Sequence, residues 1–248
     1  MLLALLSILG LGQDPSVPPG TALVTDARSH GAVGDGRLSL DEAIRVAAGS
    51  LARGALDTVE AAAIGAGAVT RIEVDAAIVP VIDVEQPISP LLGDGFHALA
   101  IEGRPTAGGV RPLLRGGAQS YVLAVRSDRA TVKELAIEGG SVGIDVETPQ
   151  NGRTADTSAV VEHCELRAQL DAGVLLRGRG ALHSGVLLRH VTFANAPRGV
   201  AVDDRSVGGF TAIEGEHCDF AAVALAVDVQ IAAQGNGASS ATFYRTDA

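Results

Sequence analysis

The sequence predicts an all-β chain wound as a parallel solenoid behind a short N-terminal α-helical cap. Three observations carry this. EHCEL (162–166) and EHCDF (216–220) are near copies with RHVTF (189–193) midway, so Cys164, Val191 and Cys218 stand 27 and again 27 residues apart. Nearly half of the 248 residues are apolar, yet that mass is Ala, Val, Leu and Ile, with 31 Gly, five Phe, Tyr only at 121 and 244, and no Trp. Such a mix suits short, tightly turned strands. Helical periodicity is confined to residues before Gly67, and alternating runs follow it.

The elements follow in chain order. The apolar run MLLALLSILGLGQ is too short to span a bilayer and matches a signal-peptide core, with Gly10 and Gly12 as small residues before a cleavage point near Gln13. The alternative is a buried N-terminal helix. DPSVPPG (14–20) reads as a linker, so 1–20 is expected to be signal peptide and linker. Residues 21–67 are expected to form the cap. Ser39 with Glu42 makes a capping box ahead of Leu40 to Ala48, which places Leu40, Ala43, Ile44 and Ala47 on one face. Asp57 with Glu60 repeats the start signal for Thr58 to Ile64. Residues 68–248 are expected to be stacked coils, beginning with RIEVD, VIDVE, ALAIEG and YVLAV, each bounded by Gly, Pro or Asp.

From Ala130 the runs share one template. Leu135, Cys164, Val191 and Cys218 recur, followed two residues on by Ile137, Leu166, Phe193 and Phe220. A second strand follows a short turn: Gly143-Ile144-x-Val146, Gly173-Val174-x-Leu176, Gly199-Val200-x-Val202 and Ala224-Leu225-x-Val227. A period of 25 to 30 residues, with short strands and no helix between them, marks a β-solenoid. Stacking puts equivalent residues about 4.8 Å apart. One outward ladder then reads Lys133, Glu162, Arg189, Glu216, alternating in sign at every step. The glycine runs GGSVG (139–143) and GRG (178–180) read as turns, since neither opens a helix as a phosphate loop would.

GRLSLDEAIRVAAGSLARGALDTVEAAAIGAG and RIEVDAAIVPVIDVEQPISPLLGDGFHALAIEG resemble the N-terminal region of CSLREA-type bacterial surface proteins. Ser39, Leu40, Glu42, Ala43 and Ile44 match the signature; Leu38 and Asp41 stand where it has Cys and Arg. HGAVGDG (30–36) also resembles the entry turn of pectate-lyase-like β-helices. The resemblance covers roughly Thr25 to Asp204. It implies a right-handed parallel β-helix and a secreted life, and it brings no common catalytic residues.

Two outward groups are candidate sites. His163, His190 and His217 form a ladder continuing from Glu134, in which neighbouring imidazoles would share a transition metal or simply occupy a bend. The second ladder reads Glu147, Arg177, Asp203, Asp228, with Asp204 and Arg205 beside it. Its carboxylates, about 5 Å apart on adjacent coils, suit Ca²⁺ binding or an acid and nucleophile pair on a sugar; the alternative is solvated surface charge. The lack of Trp counts against a sugar cleft. Cys164 and Cys218, two coils apart with Val191 between, would lie about 9.6 Å apart, beyond disulfide reach, and are expected to be free and buried.

A net charge of −10 excludes a nucleic-acid surface and a polybasic membrane face. The expected role is a secreted or cell-surface structural or interaction module whose partner is a polysaccharide or a surface protein, with no cofactor and no membrane span once the signal is removed. The alternative is a polysaccharide lyase or glycoside hydrolase working near Asp203, Asp204, Asp228 and Arg177, the one reading in which Ca²⁺ enters.

Overall fold

The computed structural model describes residues 17–92, 98–127, 129–147, 157–180, 183–206, 209–231 and 238–244. The expected signal run at 1–13 lies outside them, as does the start of the linker. Among the described residues, no helix is long and apolar enough to cross a membrane.

The chain winds through three sheets. The first has eight strands, from Thr21–Leu23 to Ala238–Tyr244; the second has six, from Val81–Val84 to Asp219–Ala221; the third has five, from Tyr121–Val125 to Leu225–Ile231. Every strand pair in them is parallel. Parallel neighbours require the chain to return to the same end of the sheet, usually through a helix. Here the other two sheets make the return, which is the coil of a solenoid, five turns by the count of third-sheet strands.

The 27-residue register is the one the sequence carries. Glu165, Thr192 and Asp219 are successive partners, and so are Lys133, Glu162, Arg189 and Glu216. The alternating ladder exists and extends one coil further. Lys133 Nζ lies 3.1 Å from Glu102 Oε1, and Arg189 Nε lies 3.7 Å from Glu216 Oε2. Where Glu73 pairs with Glu102, Arg71 stands between them, 4.0 Å and 3.8 Å from their carboxylates.

Inside, Leu135, Cys164, Val191 and Cys218 are each no more than 2% exposed, and Ile137, Leu166 and Phe193 are fully buried. The rings of Phe193 and Phe220 stack at 5.0 Å between centroids, tilted by 7°. Glycine makes room for them. A Cβ at Gly173 would sit 2.5 Å from Phe193 Cδ1, and one at Gly199 would sit 2.5 Å from Phe220 Cε1. Gly215 stands in the row where earlier coils have Val132, Val161 and Leu188, and the ring of Phe243 fills the place its side chain would take.

The cap forms as its start signals predict. Ser39 Oγ accepts from Glu42 N–H at 3.3 Å while Glu42 Oε2 accepts from Ser39 N–H at 2.9 Å, and the helix Leu40–Ala47 buries Leu40, Ala43 and Ile44 in the solenoid core. The second helix is shorter than expected, Thr58–Ala62. Its Glu60 is 1% exposed because both carboxylate oxygens are engaged outside the helix, accepting from Asp57, Gly34 and Asp35 N–H groups. That bond set ties the HGAVGDG loop to the cap.

Two sequence expectations need correction. GRG (178–180) is no turn: it ends the nine-residue strand Ala172–Gly180. Gly178 is needed for space, since a Cβ there would meet Thr211 Oγ1 at 2.2 Å and Asp204 Oδ1 at 2.6 Å. In the last coil, Val227 rather than Leu225 partners Val200. The 27-residue spacing persists through that strand too, and the run Leu225-Ala226-Val227 is apolar throughout, so hydrophobicity alone does not choose its register.

Candidate functional site

The outer face of the third sheet gathers most of the candidate residues. Its strands Val142–Glu147, Ala172–Gly180, Arg198–Ser206 and Leu225–Ile231 are in register, so Glu147, Arg177, Asp203 and Gln230 form one row. Asp145, Leu175, Ala201 and Asp228 form the next. The sequence template predicts Asp228 beside Asp203; it stands beside Ala201 instead, two residues back along the strand. Asp204 was read as lying beside the outward ladder. It faces the interior, 2% exposed, over the space that Gly178 leaves, and it accepts a hydrogen bond from Ser239 Oγ.

The charges on this face are paired. Asp203 lies 3.1 Å from Arg179 and 3.0 Å from Arg205. Burial alone would push its carboxyl up, but those two guanidinium hydrogen bonds outweigh it and hold Asp203 below the usual carboxylate range. Asp228 is held low chiefly by Arg198 Nη1, 2.8 Å away, with Gln230 adding a second hydrogen bond at 3.0 Å. Arg198 also grips Asp171. Glu147 has Arg126, Arg177 and Arg179 within 3.5 Å.

Asp145 escaped the sequence reading. It is fully buried on this face, paired with Arg126 Nη2 and with Arg177 Nε 3.3 Å from its Oδ1, a charge contact that is not aligned as a hydrogen bond. Its only sequence signal is an acidic residue at the variable position of Gly143-Ile144-x-Val146. Arg177, Arg179, Arg198, Arg205, Asp203 and Gln230 wall a shallow cavity of about 250 Å³. Two-carboxylate sugar chemistry needs one acid kept protonated near neutral pH by its surroundings. The arginines do the reverse to Asp203 and Asp228.

His163, His190 and His217 stack on one corner. Neighbouring rings lie 4.7 and 4.8 Å apart and within 2° of parallel. All three backbones are left-handed, with φ of 52° or 53°, as is Glu134 at 55°. Each N–H still bonds to the next coil, His163 to Arg189 O at 2.9 Å and His190 to Glu216 O at 3.0 Å. A ring nitrogen's lone pair lies in the ring plane, so stacked parallel rings do not aim theirs at a common point. Among the described residues, no group of three or more His, Cys, Asp or Glu is arranged to hold a metal ion.

Both thiols are free and buried. Burial pushes Cys164 up to about 12 and Cys218 up to about 11. A chain of contacts in the cap also went unforeseen: Ser29 Oγ lies 3.0 Å from His30 Nδ1, and His30 Nε2 lies 3.6 Å from Asp41 Oδ1. Ser29 is 2% exposed and Asp41 also accepts from Ser89 N–H at 2.9 Å, so these residues brace the cap. The chain matches no protein-family model, no curated protein and no solved structure.

Proposed function

We propose that this chain is a structural and interaction module of the cell exterior, a stiff β-solenoid spacer that is secreted or held at the cell surface. The resemblance of its first half to CSLREA-type surface proteins and the signal-like run at 1–13 support that location, and with it the right-handed winding usual for parallel crossovers. One observation carries the module reading: the acids on the third-sheet face are neutralised by arginines within that face, and neither Asp203 nor Asp228 is poised to give up a proton to a leaving group.

The cavity beside Asp203 supports a second reading, a polysaccharide lyase or glycoside hydrolase. Reducing-sugar and unsaturated-product assays on a panel of acidic polysaccharides, with and without Ca²⁺, separate the two. The module predicts no turnover by the native protein or by the Asp203→Ala/Asp228→Ala variant, both folded. Native turnover that the double change abolishes would establish the enzyme.

A further inference from the structure

Neutralised acids need not exhaust the arginines around them. Arg177, Arg179, Asp203 and Arg205 form a square on two neighbouring strands of the third sheet, Ala172–Gly180 and Arg198–Ser206. Arg177 stands opposite Asp203 and Arg179 opposite Arg205, all on the outer face. Both strands have a further strand on either side, so the square lies within the sheet. Like charges directly opposite one another are destabilising. Here three guanidinium groups crowd one carboxylate, and Asp203 serves two of them. Its Oδ2 is 3.1 Å from Arg179 Nη2 and its Oδ1 is 3.0 Å from Arg205 Nε.

The third arginine is left over. Arg177 Nε lies 3.3 Å from Asp145 Oδ1 and Arg177 Nη1 lies 3.5 Å from Glu147 Oε2. Asp145 Oδ1 nevertheless has no hydrogen-bond partner among the described residues, and both acids are already held by Arg126. Among the described residues, Arg177 donates no hydrogen bond and Arg205 donates only through Nε. Each guanidinium carries five N–H donors, so both keep donors to spend. Arg198, by contrast, commits both terminal nitrogens to Asp228 and Asp171. Arg177 and Arg205 both wall the cavity of about 250 Å³.

We propose that this cavity binds one oxyanion, a carboxylate or sulfate group, on the donors of Arg177 and Arg205. Planar guanidinium groups grip such groups through paired, charge-assisted hydrogen bonds. With Arg126, Asp145, Glu147 and Asp228 counted, the whole face carries as many arginines as acids. The cavity therefore offers unspent donors rather than bulk charge. A chain of net charge −10 gives anions no general attraction, so recognition has to be local. On the interaction-module reading, on which this rests, the oxyanion is the group that the partner presents.

NMR titration of the isotope-labelled 248-residue chain with glucuronate, inorganic sulfate and uncharged glucose tests this. Saturable shifts of the Arg177 and Arg205 Nε–H resonances are expected with an anion and not with glucose, and the tighter anion assigns the group. Arg177→Gln and Arg205→Gln should each weaken binding about tenfold or more, the loss of hydrogen bonds to a charged group. Arg205 is 65% exposed, so its replacement should leave thermal unfolding unchanged and separates lost binding from lost fold. Arg104→Gln, on the first sheet and 69% exposed, makes the same change in net charge and should leave binding as it was. No saturable binding of either anion would overturn the proposal. So would binding that survives both changes, or that falls as far in Arg104→Gln. None of these results touches the module reading, which stands or falls on polysaccharide turnover.

Discussion

Val191 and Thr192 are neighbours with opposite fates: Val191 is 1% exposed between Cys164 and Cys218, and Thr192 faces outward beside Glu165 and Asp219. Val191→Asp should therefore cost several kcal/mol, about 4 for an unpaired buried charge. Thr192→Ala should cost less than about 0.5 kcal/mol. Chemical denaturation of both variants checks the contrast, and equal losses would break the inside–outside assignment. The thiols give a pH test. Folding raises their pKa, so between the ordinary thiol value, about 8.5, and the folded values the native chain holds protons that the unfolded chain has lost. Their contribution is complete below pH about 8.5 and declines as pH rises through 11 to 12. Cys164→Ala should flatten the alkaline fall of the unfolding free energy; an unchanged slope would show that the thiol is not buried. Among single residues, the buried positions were legible from periodicity. Asp204 is inward by the same alternation that buries Val200 and Val202, and Gly178 one coil away leaves room for its carboxylate.

At the scale of the strand, glycine acts as a packing residue. The glycine recurring as the second residue of the third-sheet strands, at 143, 173 and 199, is a repeated accommodation of the Leu166, Phe193 and Phe220 side chains behind it. Gly173→Ala would drive a methyl group into Phe193 and should cost about 1–3 kcal/mol, the usual range for overpacking. Gly185 has nothing closer than Ala212 O at 4.0 Å, so Gly185→Ala should be near neutral. Thermal unfolding of the two variants decides, and comparable losses would mean that both glycines are held for backbone freedom instead. Glycine is the usual turn residue, so GRG (178–180) suggests a turn in the sequence; the space it creates shows only once the coils are stacked. The ladder Lys133, Glu162, Arg189, Glu216 was fully legible, because charge sign and apolar spacing repeat with one period. The third-sheet face was legible only as far as Asp203. Beyond it, a run of consecutive apolar residues left the strand two residues out of step, which moved Asp228 away from the row it had been assigned to.

For the whole molecule, stability is a sum over coils, each burying its apolar row against the next. The cap that precedes those coils is plain in the sequence. Capping boxes at Ser39 and Asp57 announce the helical closure at the N-terminal side of the coils. The fold rests on a coil, 27 residues long between Glu165, Thr192 and Asp219, whose successive turns lie a strand spacing apart. Spin labels at Glu165→Cys and Asp219→Cys, in a Cys164→Ala/Cys218→Ala background, measure that directly, because the two sites are outward and separated by one intervening strand through Thr192. The expected separation of the backbones is about 10 Å, twice the strand spacing, which gives strong dipolar broadening of the spectrum. A spectrum equal to the sum of the two singly labelled proteins would place these residues far apart and contradict the coil.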